Sequence, residues 1–438
     1  MAHDTHVSSH IAEPLPVSQI DPREQRTFAL QIVERLRGEG HEALWAGGCV
    51  RDELLGRVPK DYDVATTATP DQIQTLFGPR RTLMIGAAFG VAAVVGHRHE
   101  GTVEVATFRQ DAEYADGRHP DHVTFSTAEH DAQRRDFTIN GLFFDPVAGR
   151  VIDYVGGQAD LAAHLVRAIG NPHERFTEDK LRMLRAVRMA ATFDFTIDAA
   201  TEVALRAMAG EITVVSPERI AQELRLLFML PAAARGINLL RTTGLLRAIL
   251  PELESFAADA ARWSQVLAVA GCLRRTSFPL VLAVLISEAD AVPPLAEQAS
   301  TVGRRLKLSN HEHDRAGWLV AHRDALADAH RRPWSQVQPV LIAEGAAELV
   351  NWHEARSRVA GAATDAADFC RRRLDAPPGE LNPPALVTGN DLIAHGLAPG
   401  KQFAELLEAV RAAQLDGQVR SKDEALALVD QRLRGGVV

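Results

Sequence analysis

The sequence has few cysteines and no long apolar run. Cys49, Cys272 and Cys370 are an odd number of widely separated cysteines in a chain of 438 residues. This pattern indicates neither a disulfide framework nor a zinc site. No apolar stretch is long enough to cross a membrane, and residues 1–22 lack the apolar segment of a signal peptide. We therefore expect a cytoplasmic protein, whose cysteines stay reduced.

An excess of positive charge is also absent. The formal net charge is −9 at pH 7, whereas nucleic-acid-binding domains commonly have a basic patch or stripe. The negative charge argues against tight non-specific binding to nucleic acid. It leaves a compact RNA partner open, because a basic face can exist on an acidic protein.

The most informative stretch, residues 44–66, predicts a strand, a glycine turn, a short helix and a second strand. Gly47 and Gly48 allow close approach of the backbone to a ligand, as phosphate-binding turns do. Asp61 and Asp63 would point to one face of the second strand, because side chains alternate along a strand. Adjacent carboxylates repel unless a cation lies between them, and oxygen ligands suit Mg²⁺. Either half alone would fit an ordinary turn, but together they predict a nucleotide site.

The remaining pattern predicts a mixed α/β region followed by helices. A helix is expected between Phe28 and Leu36 and another over residues 70–77, from their apolar spacing and end signals. Residues 91–95 and 103–107 are typical of strands in a hairpin. Shorter strands are expected at residues 122–125 and 142–144. The predicted regions are a flexible tail (1–26), an α/β head (27–155), a helical neck (156–230), a helical body (231–375) and a helical tail (385–438).

Two further clusters could handle a nucleotide, and each also has a structural alternative. Arg135, Asp136 and Asn140 form a donor-rich group suited to a triphosphate and ribose, although a salt-bridged helix end is the simpler alternative. Asp179 and Arg182, three residues apart, would share one face of a helix. A carboxylate accepts from the exocyclic amine that cytosine and adenine carry, and a guanidinium donates to the neighbouring ring nitrogen. The pair would accept C and A and reject U and G, unless it is only a surface ion pair.

Three of these motifs resemble one family. Gly-Gly-x-Val-Arg-Asp-x-Leu-Leu-Gly-Arg with Lys-Asp-x-Asp-x-Ala-Thr, Arg-Arg-Asp-Phe-Thr-Ile-Asn-Gly, and Glu-Asp-x-x-Arg-x-x-Arg are similar to motifs of the bacterial-type tRNA nucleotidyltransferase and poly(A) polymerase family. The resemblance implies a polymerase-β-like α/β head followed by an all-α neck, body and tail. It also implies addition of CCA to tRNA from CTP and ATP with release of pyrophosphate, in a mechanism that uses two Mg²⁺ ions.

The resemblance and the residue pattern together assign site residues. Asp61 and Asp63 are expected to bind the metal, with Glu104 as a candidate third carboxylate. The expected nucleotide-binding residues are Gly47, Gly48, Arg51, Arg135, Asp136, Asn140, Asp179, Arg182 and Arg185. The loop over residues 108–120 resembles a mobile loop of the family, although an ordinary flexible connection explains it equally well.

Several alternatives stay open. A poly(A) polymerase shares these motifs, although residues 84–91 look more like the tRNA enzymes, and partial enzymes that add only CC or only A are also possible. A catalytically inactive RNA-binding protein is the alternative from another class.

His311 and His313 suggest a metal site, but Ser287 and Glu288 stand where related chains have the His-Asp pair of a phosphohydrolase. The two histidines also do not share a helix face, so we expect no phosphohydrolase activity.

Residues 388–417 are similar to the tail of bacterial CCA-adding enzymes. This resemblance implies that Lys401, Arg411 and Lys422 contact tRNA phosphates.

Overall fold

The computed structural model describes residues 20–86, 89–111, 123–289, 294–400 and 402–434. Most of the predicted loop at residues 108–120 and most of the predicted tail at residues 1–26 lie outside these ranges, as does Lys401 of the expected tRNA-contacting segment. The chain forms two compact units. The first comprises Met1–Val215 with Thr243–Leu245, and the second comprises Ser216–Thr242 with Leu246–Val438.

The first unit contains a seven-stranded sheet in the order β3-β4-β5-β2-β1-β8-β9. Its neighbouring strands are antiparallel except β2 and β5, which are parallel. The small strands β6 and β7 pair with each other, as do β10 and β11. The strands are β1 (Ala43–Ala46), β2 (Asp63–Thr66), β3 (Thr82–Gly86), β4 (Val91–Val95), β5 (Thr102–Thr107), β6 (Arg109–Asp111), β7 (Val123–Phe125), β8 (Leu142–Asp145), β9 (Arg150–Asp153), β10 (Leu165–Val166) and β11 (Thr196–Ile197).

Helices flank this sheet and follow it. The helices of the first unit are α1 (Pro22–Gly38), α2 (Gly48–Leu54), α3 (Pro70–Phe77), α4 (Ala128–Gln133), α5 (Gly157–Ala162), α6 (Pro172–Glu178), α7 (Leu181–Phe193) and α8 (Ala199–Met208), with 3₁₀ turns at Thr138–Asn140 and Ala209–Val214. Every residue of the central strand β1 is buried. Leu44 packs in one apolar cluster with Phe108 and Phe143, so the strand that leads into the glycine turn is fixed by the core.

The second unit is helical throughout its described residues. Its helices, including α11, which begins in the first unit, are α9 (Pro217–Phe228), α10 (Ala233–Thr242), α11 (Leu245–Ile249), α12 (Glu254–Ala258), α13 (Ala260–Cys272), α14 (Phe278–Ile286), α15 (Leu295–Arg305), α16 (Asn310–Ala321), α17 (Trp334–Leu341), α18 (Ala346–Val359), α19 (Asp365–Leu374), α20 (Pro378–Leu381), α21 (Gly389–Ala394), α22 (Gln402–Leu415) and α23 (Lys422–Arg434), with 3₁₀ turns at Pro251–Leu253 and Ala329–Arg331. All nine residues of α14 are buried. Among the described residues, no helix has the length and apolar character needed to span a bilayer.

The structure confirms most predicted elements of the head. α3 and β4 have the predicted bounds, β5 begins one residue earlier than predicted, and the β4–β5 hairpin is present. The strand that was predicted to carry both aspartates begins at Asp63, so Asp61 precedes it. The edge strands β3 and β9 were not predicted.

Candidate active site

Three of the predicted carboxylates lie near the start of β2. Asp63 is the register partner of Glu104 on the neighbouring parallel strand β5. Burial raises the pKa of Asp63 to about 7, helped by the negative charges of Asp61 and Glu104 and opposed by Arg135. Like charges shift a carboxyl pKa upwards in this way because both cannot ionise cheaply at short range. The structure therefore brings the two predicted aspartates together with the predicted third carboxylate.

This carboxylate group suits a hard divalent cation that arrives with a substrate. Among the described residues, no set of three or more His, Cys, Asp or Glu side chains is close enough to hold a metal ion alone. Cations such as Mg²⁺ commonly use one or two protein carboxylates together with substrate phosphates. The donors and their mutual repulsion thus fit a metal shared with a bound nucleotide.

The glycine turn lies against Arg135. Gly47 has φ 73° and precedes α2 as its N-cap residue, a backbone conformation that glycine adopts without strain. A Cβ atom at this position would be 2.6 Å from Nη1 of Arg135. Glycine suits this position chiefly because of its positive φ, and it also leaves room for the guanidinium of Arg135. Arg135 is the common neighbour of the turn and of Asp63.

A buried carboxylate binds Arg134 and Arg135, the arginine pair of the Arg-Arg-Asp-Phe-Thr-Ile-Asn-Gly motif. Asp131 is 1% exposed and forms ion pairs with Arg134 at 2.7 Å and Arg135 at 2.9 Å. The pKa of Asp131 stays low, because the two guanidinium groups outweigh the effect of burial. Asp131 was not among the residues predicted from the sequence. Its spacing of three and four residues from the arginines, which places them on one helix face, was the signal that could have found it.

Arg51 is engaged by the protein. Its side chain bonds to Asp52 at 2.9 Å and to the side-chain oxygen of Asn140 at 2.5 Å. The guanidinium carbon lies 4.5 Å from the centre of the Phe193 ring, and the residue is 8% exposed. In this structure Arg51 joins α2 to the second motif, and its phosphate-binding role stays a prediction.

Asp136 continues this network to α7. Its Oδ1 accepts from the side chain of Asn140 at 3.0 Å, and its Oδ2 accepts from Nε of Arg185 at 2.8 Å. Burial alone would raise the pKa of Asp136, but Arg185 and Asn140 hold it well below its ordinary value. A continuous chain of hydrogen bonds therefore runs from Arg51 to Arg185, through four of the predicted nucleotide-binding residues.

Asp179 and Arg182 do not lie on one continuous helix. α6 ends at Glu178, and Asp179 has the extended backbone angles φ −147° and ψ 106°. Its carboxylate accepts from the backbone N–H of Leu181 at 3.0 Å, which caps the start of α7. This hydrogen bond satisfies one of the first backbone donors of α7, and Asp179 itself lies between the two helices.

The guanidinium of Arg182 points to other partners in this structure. It forms an ion pair with Glu178 and donates to the carbonyl oxygen of Arg175 at 3.1 Å. Asp179 and Arg182 remain adjacent, since the backbone N–H of Arg182 donates to the carbonyl oxygen of Asp179 at 3.0 Å. The two residues thus lie together at the α6–α7 junction, and their base-reading role stays a prediction.

Residues of the other predicted motifs are engaged within the protein. Asp153 accepts hydrogen bonds from the four backbone N–H groups of residues 155–158, which stabilise the turn between β9 and α5. His311 pairs with Glu344, and His313 pairs with Asp314.

Two of the expected tail cations are bound locally. Lys422 pairs with Asp391. Arg411 donates to the carbonyl oxygen of Pro383 at 2.8 Å and to the side chain of Asn382 at 2.7 Å. Contact of these cations with tRNA stays a prediction.

Comparisons with known proteins agree with this site. The family described as "Poly A polymerase head domain" matches residues 43–167, and "Probable RNA and SrmB- binding site of polymerase A" matches residues 194–256. The CCA-adding enzyme of Geobacillus kaustophilus is 34% identical over 408 residues, covering 91% of this chain and 95% of that protein. Poly(A) polymerase I of Haemophilus influenzae is 37% identical over 252 residues, covering 55% of each.

A solved structure matches over nearly the whole length. The crystal structure of the Bacillus stearothermophilus CCA-adding enzyme in complex with CTP has a TM-score of 0.71 and 32% identity to this chain. The match covers 94% of this chain and 98% of that one. With its carboxylate group, glycine turn and full-length relatives, the chain belongs to the nucleotidyltransferase family of the CCA-adding enzymes and poly(A) polymerases.

Proposed function

We propose that this protein adds CCA to the 3′ end of tRNA, using CTP and ATP as substrates and no nucleic-acid template. The observation that carries the proposal is the proximity of Asp61, Asp63 and Glu104 to one another and to Arg135. Arg135 in turn lies against the Gly47 turn. This places negative oxygen donors next to backbone and guanidinium donors for a triphosphate. The relatives that match nearly the full length are CCA-adding enzymes, which supports tRNA as the acceptor.

In the proposed site, Asp61 and Asp63 hold Mg²⁺, with Glu104 as the third carboxylate. Bound Mg²⁺ in such a site lowers the pKa of an attacking hydroxyl and neutralises a triphosphate. Gly47 and Gly48 present backbone N–H groups to the phosphates, and the guanidinium of Arg135 supplies positive charge next to the carboxylates. Binding of the nucleotide and metal together would relieve the repulsion that raises the pKa of Asp63.

The proposed reaction is one nucleotidyl transfer per addition. The 3′ oxygen of the RNA attacks the α-phosphorus, and the bond between that phosphorus and the oxygen bridging to the β-phosphorus breaks. Pyrophosphate leaves, and the hydroxyl proton passes to solvent. The protein orients these groups in a fixed geometry, which accounts for a large part of the rate enhancement in such transfers.

Asp179 and Arg182 are proposed to choose the base. The Asp179 carboxylate would accept from the exocyclic amine of cytosine or adenine, and the Arg182 guanidinium would donate to the adjacent ring nitrogen. Uracil and guanine have a carbonyl at the position of that amine, which a carboxylate cannot pair with. Asp136, with Arg185 and Asn140, would support this selection from the neighbouring network.

A poly(A) polymerase is the second candidate, since one such relative is 37% identical. That match ends at 55% of each chain, whereas CCA-adding relatives are matched over 95% of their length. Enzymes that add only CC or only A remain further alternatives within the family. A cytoplasmic location is proposed from the scattered cysteines, of which Cys49 and Cys370 are buried thiols.

The experiment is incorporation of labelled CTP or ATP into tRNAs that end before, within or after CCA. We expect the wild type to add two C residues and one A and then to stop. A ladder of A residues on a CC-ending tRNA would favour the poly(A) polymerase, and absence of any incorporation would contradict an enzyme. Asp61→Ala tests the metal-binding role and should lose incorporation. Because Asp61 is exposed, this substitution should leave the fold intact.

A further inference from the structure

We propose that Tyr62 and Glu53 form a strut that sets the position of Asp61 and Asp63. The strut comprises the hydrogen bond from the Tyr62 hydroxyl to the Glu53 carboxylate and the ion pair between Glu53 and Arg26. In this view Tyr62 and Glu53 are positioning residues for the metal-binding strand. The inference rests on the proposed function, because it concerns the metal site assigned there.

Tyr62 is built into the core between the two aspartates. It is 2% exposed, and its ring contacts the Trp45 ring edge-on with a centroid distance of 4.9 Å. Its hydroxyl donates to Oε1 of Glu53 at 2.8 Å. The side chain thus anchors the backbone between Asp61 and Asp63 at two points, on β1 through the ring and on α2 through the hydroxyl.

Glu53 is in turn fixed from a third element. Nε of Arg26, on α1, donates to the same carboxylate oxygen at 2.8 Å. The Arg26 guanidinium carbon lies 4.9 Å from the centre of the Trp45 ring, so cation and ring also interact. Hydrogen bonds to a charged acceptor are stronger than those between neutral groups. The strut therefore links α1, α2 and the start of β2.

The Tyr62 hydroxyl and the Asp63 carboxylate have different charged neighbours. The groups that shift the pKa of Asp63 are Asp61, Glu104 and Arg135. Those that act on the Tyr62 hydroxyl, besides burial, include Glu53 and Arg26 but none of these three. The Tyr62 side chain is buried against Trp45 and Glu53, so its proposed influence on the metal passes through the backbone that it shares with the two aspartates.

Within residues 44–66, the strut also links the helix that follows the glycine turn to the segment that carries Asp61 and Asp63. α2 begins at the glycine turn and ends at Leu54, and Glu53 lies in its last turn. Residues 55–60, which include Gly56 at φ 67°, then lead to Asp61. The Tyr62–Glu53 hydrogen bond closes this connection, so it sets the distance between the phosphate turn and the carboxylates. Repelling carboxylates need such a constraint, because without a metal they would separate.

The test is Tyr62→Phe, which removes one oxygen and keeps the ring. We expect the Mn²⁺ dissociation constant, measured by electron paramagnetic resonance, to rise about fivefold, the change that corresponds to one net hydrogen bond. The Mg²⁺ concentration for half-maximal kcat should rise by a similar factor. The KM for tRNA and the preference for CTP over UTP should not change. A purely structural role would instead lower stability without altering the metal dependence.

Tyr154→Phe is the matched control, because Tyr154 is 42% exposed and lies outside the strut. Glu53→Gln keeps an acceptor oxygen and should shift the Mn²⁺ affinity less than Glu53→Ala, and these variants also serve if Tyr62→Phe folds poorly. Mn²⁺ affinities of Tyr62→Phe and Glu53→Ala equal to those of the wild type and Tyr154→Phe would overturn the strut. Failure of the wild type to add nucleotides would overturn the proposed function instead, and the Mn²⁺ titration would still measure the strut.

Discussion

The two units contain acidic side chains with opposite electrostatic surroundings. In the first unit, Asp63 lies with Asp61 and Glu104, and its pKa is raised to about 7. In the second unit, Glu354 has a side chain that is 3% exposed and forms ion pairs with Arg274, Arg358 and Arg371. Asp63 thus lies among like charges that the nearby Arg135 does not offset. Glu354 is surrounded by three cations.

This difference separates a site that needs a ligand from a site that needs none. Buried carboxylates without matched cations destabilise the protein unless something else supplies the positive charge. The region around Asp63 carries this cost, which a bound metal and nucleotide would offset. The region around Glu354 is internally neutralised, so it contributes to the helical scaffold. Carboxylates of the two kinds should therefore respond in opposite ways to substitution.

The largest effect is expected at Asp63. Asp63→Asn should lower kcat by roughly 10²- to 10³-fold, the order of effect seen when a key charge-stabilising group is removed. The metal-free protein should not lose stability, because the substitution removes a repelled charge. Nucleotide addition and the thermal unfolding midpoint of the metal-free protein, compared with wild type at mildly alkaline pH, measure both effects. A marked fall in that midpoint would show that Asp63 is a structural carboxylate.

The next effect is expected at Arg182. Arg182→Ala should reduce the preference for CTP over UTP by about tenfold to a hundredfold, since one good base contact discriminates by that order. The measurement is the ratio of kcat/KM values for the two nucleotides. Arg206→Ala is the control, because Arg206 only forms an exposed ion pair with Glu202 on α8. An unchanged ratio in Arg182→Ala would remove the base-choosing role.

A moderate effect on stability alone is expected at Glu354. Glu354→Gln should lower the free energy of unfolding by about 2 kcal/mol, less than for a fully buried pair because its arginines are partly exposed. Urea denaturation measures the loss, and kcat should stay at the wild-type value wherever the variant is folded. Glu254→Gln is the control, since the Glu254–Arg247 pair is exposed and should matter little. A loss of kcat in folded Glu354→Gln would contradict the division between the units.

The smallest effect is a pH dependence at Glu312. Hydrogen bonding to Arg225 lowers the pKa of Glu312 from its ordinary 4.5 to about 2. Because the folded-state pKa is depressed, the stabilisation is present above pH 4.5 and is lost as the pH falls towards 2. Glu312→Gln should therefore lower the unfolding midpoint near neutral pH, and the difference from wild type should shrink in acid.

Glu344→Gln is the comparison for this pH dependence, because the Glu344 side chain is 75% exposed and solvent screens its ion pairs. Its effect should be smaller at every pH. A difference between Glu312→Gln and wild type that stays constant down to acid pH would exclude the Glu312–Arg225 pair as its source.

Local signals explain why parts of the head could be predicted from sequence. α3 has Thr69 and Gln72 in a capping box and Pro70 at its first position, signals that need no tertiary information. β4 is a short apolar run between turns, which is typical of a buried strand. The glycine turn and the two aspartates also lie within one continuous stretch, so their chemistry could be inferred together.

Features that depend on distant residues could not be predicted in the same way. Glu104 reaches Asp63 only because β5 and β2 pair in parallel, and sequence does not give strand pairing. β3 exposes Leu83 and Ile85, so its pattern of buried residues is weak. The helix break before α7 lies at Asp179, whose carboxylate accepts from the backbone N–H of Leu181, and continuous helical spacing conceals it.

The most direct test of the central claim is calorimetric titration of Mn²⁺, in the presence of CTP, into the wild type and into an Asp61→Asn, Asp63→Asn double variant. The proposed site predicts that the wild type binds Mn²⁺ and that the double variant binds it at least about tenfold more weakly, as expected when charged oxygen ligands are lost. The double variant should remain folded, because the substitutions remove the repulsion between the two aspartate carboxylates. Equal Mn²⁺ affinity of the two folded proteins would contradict the claim that these aspartates form the metal site.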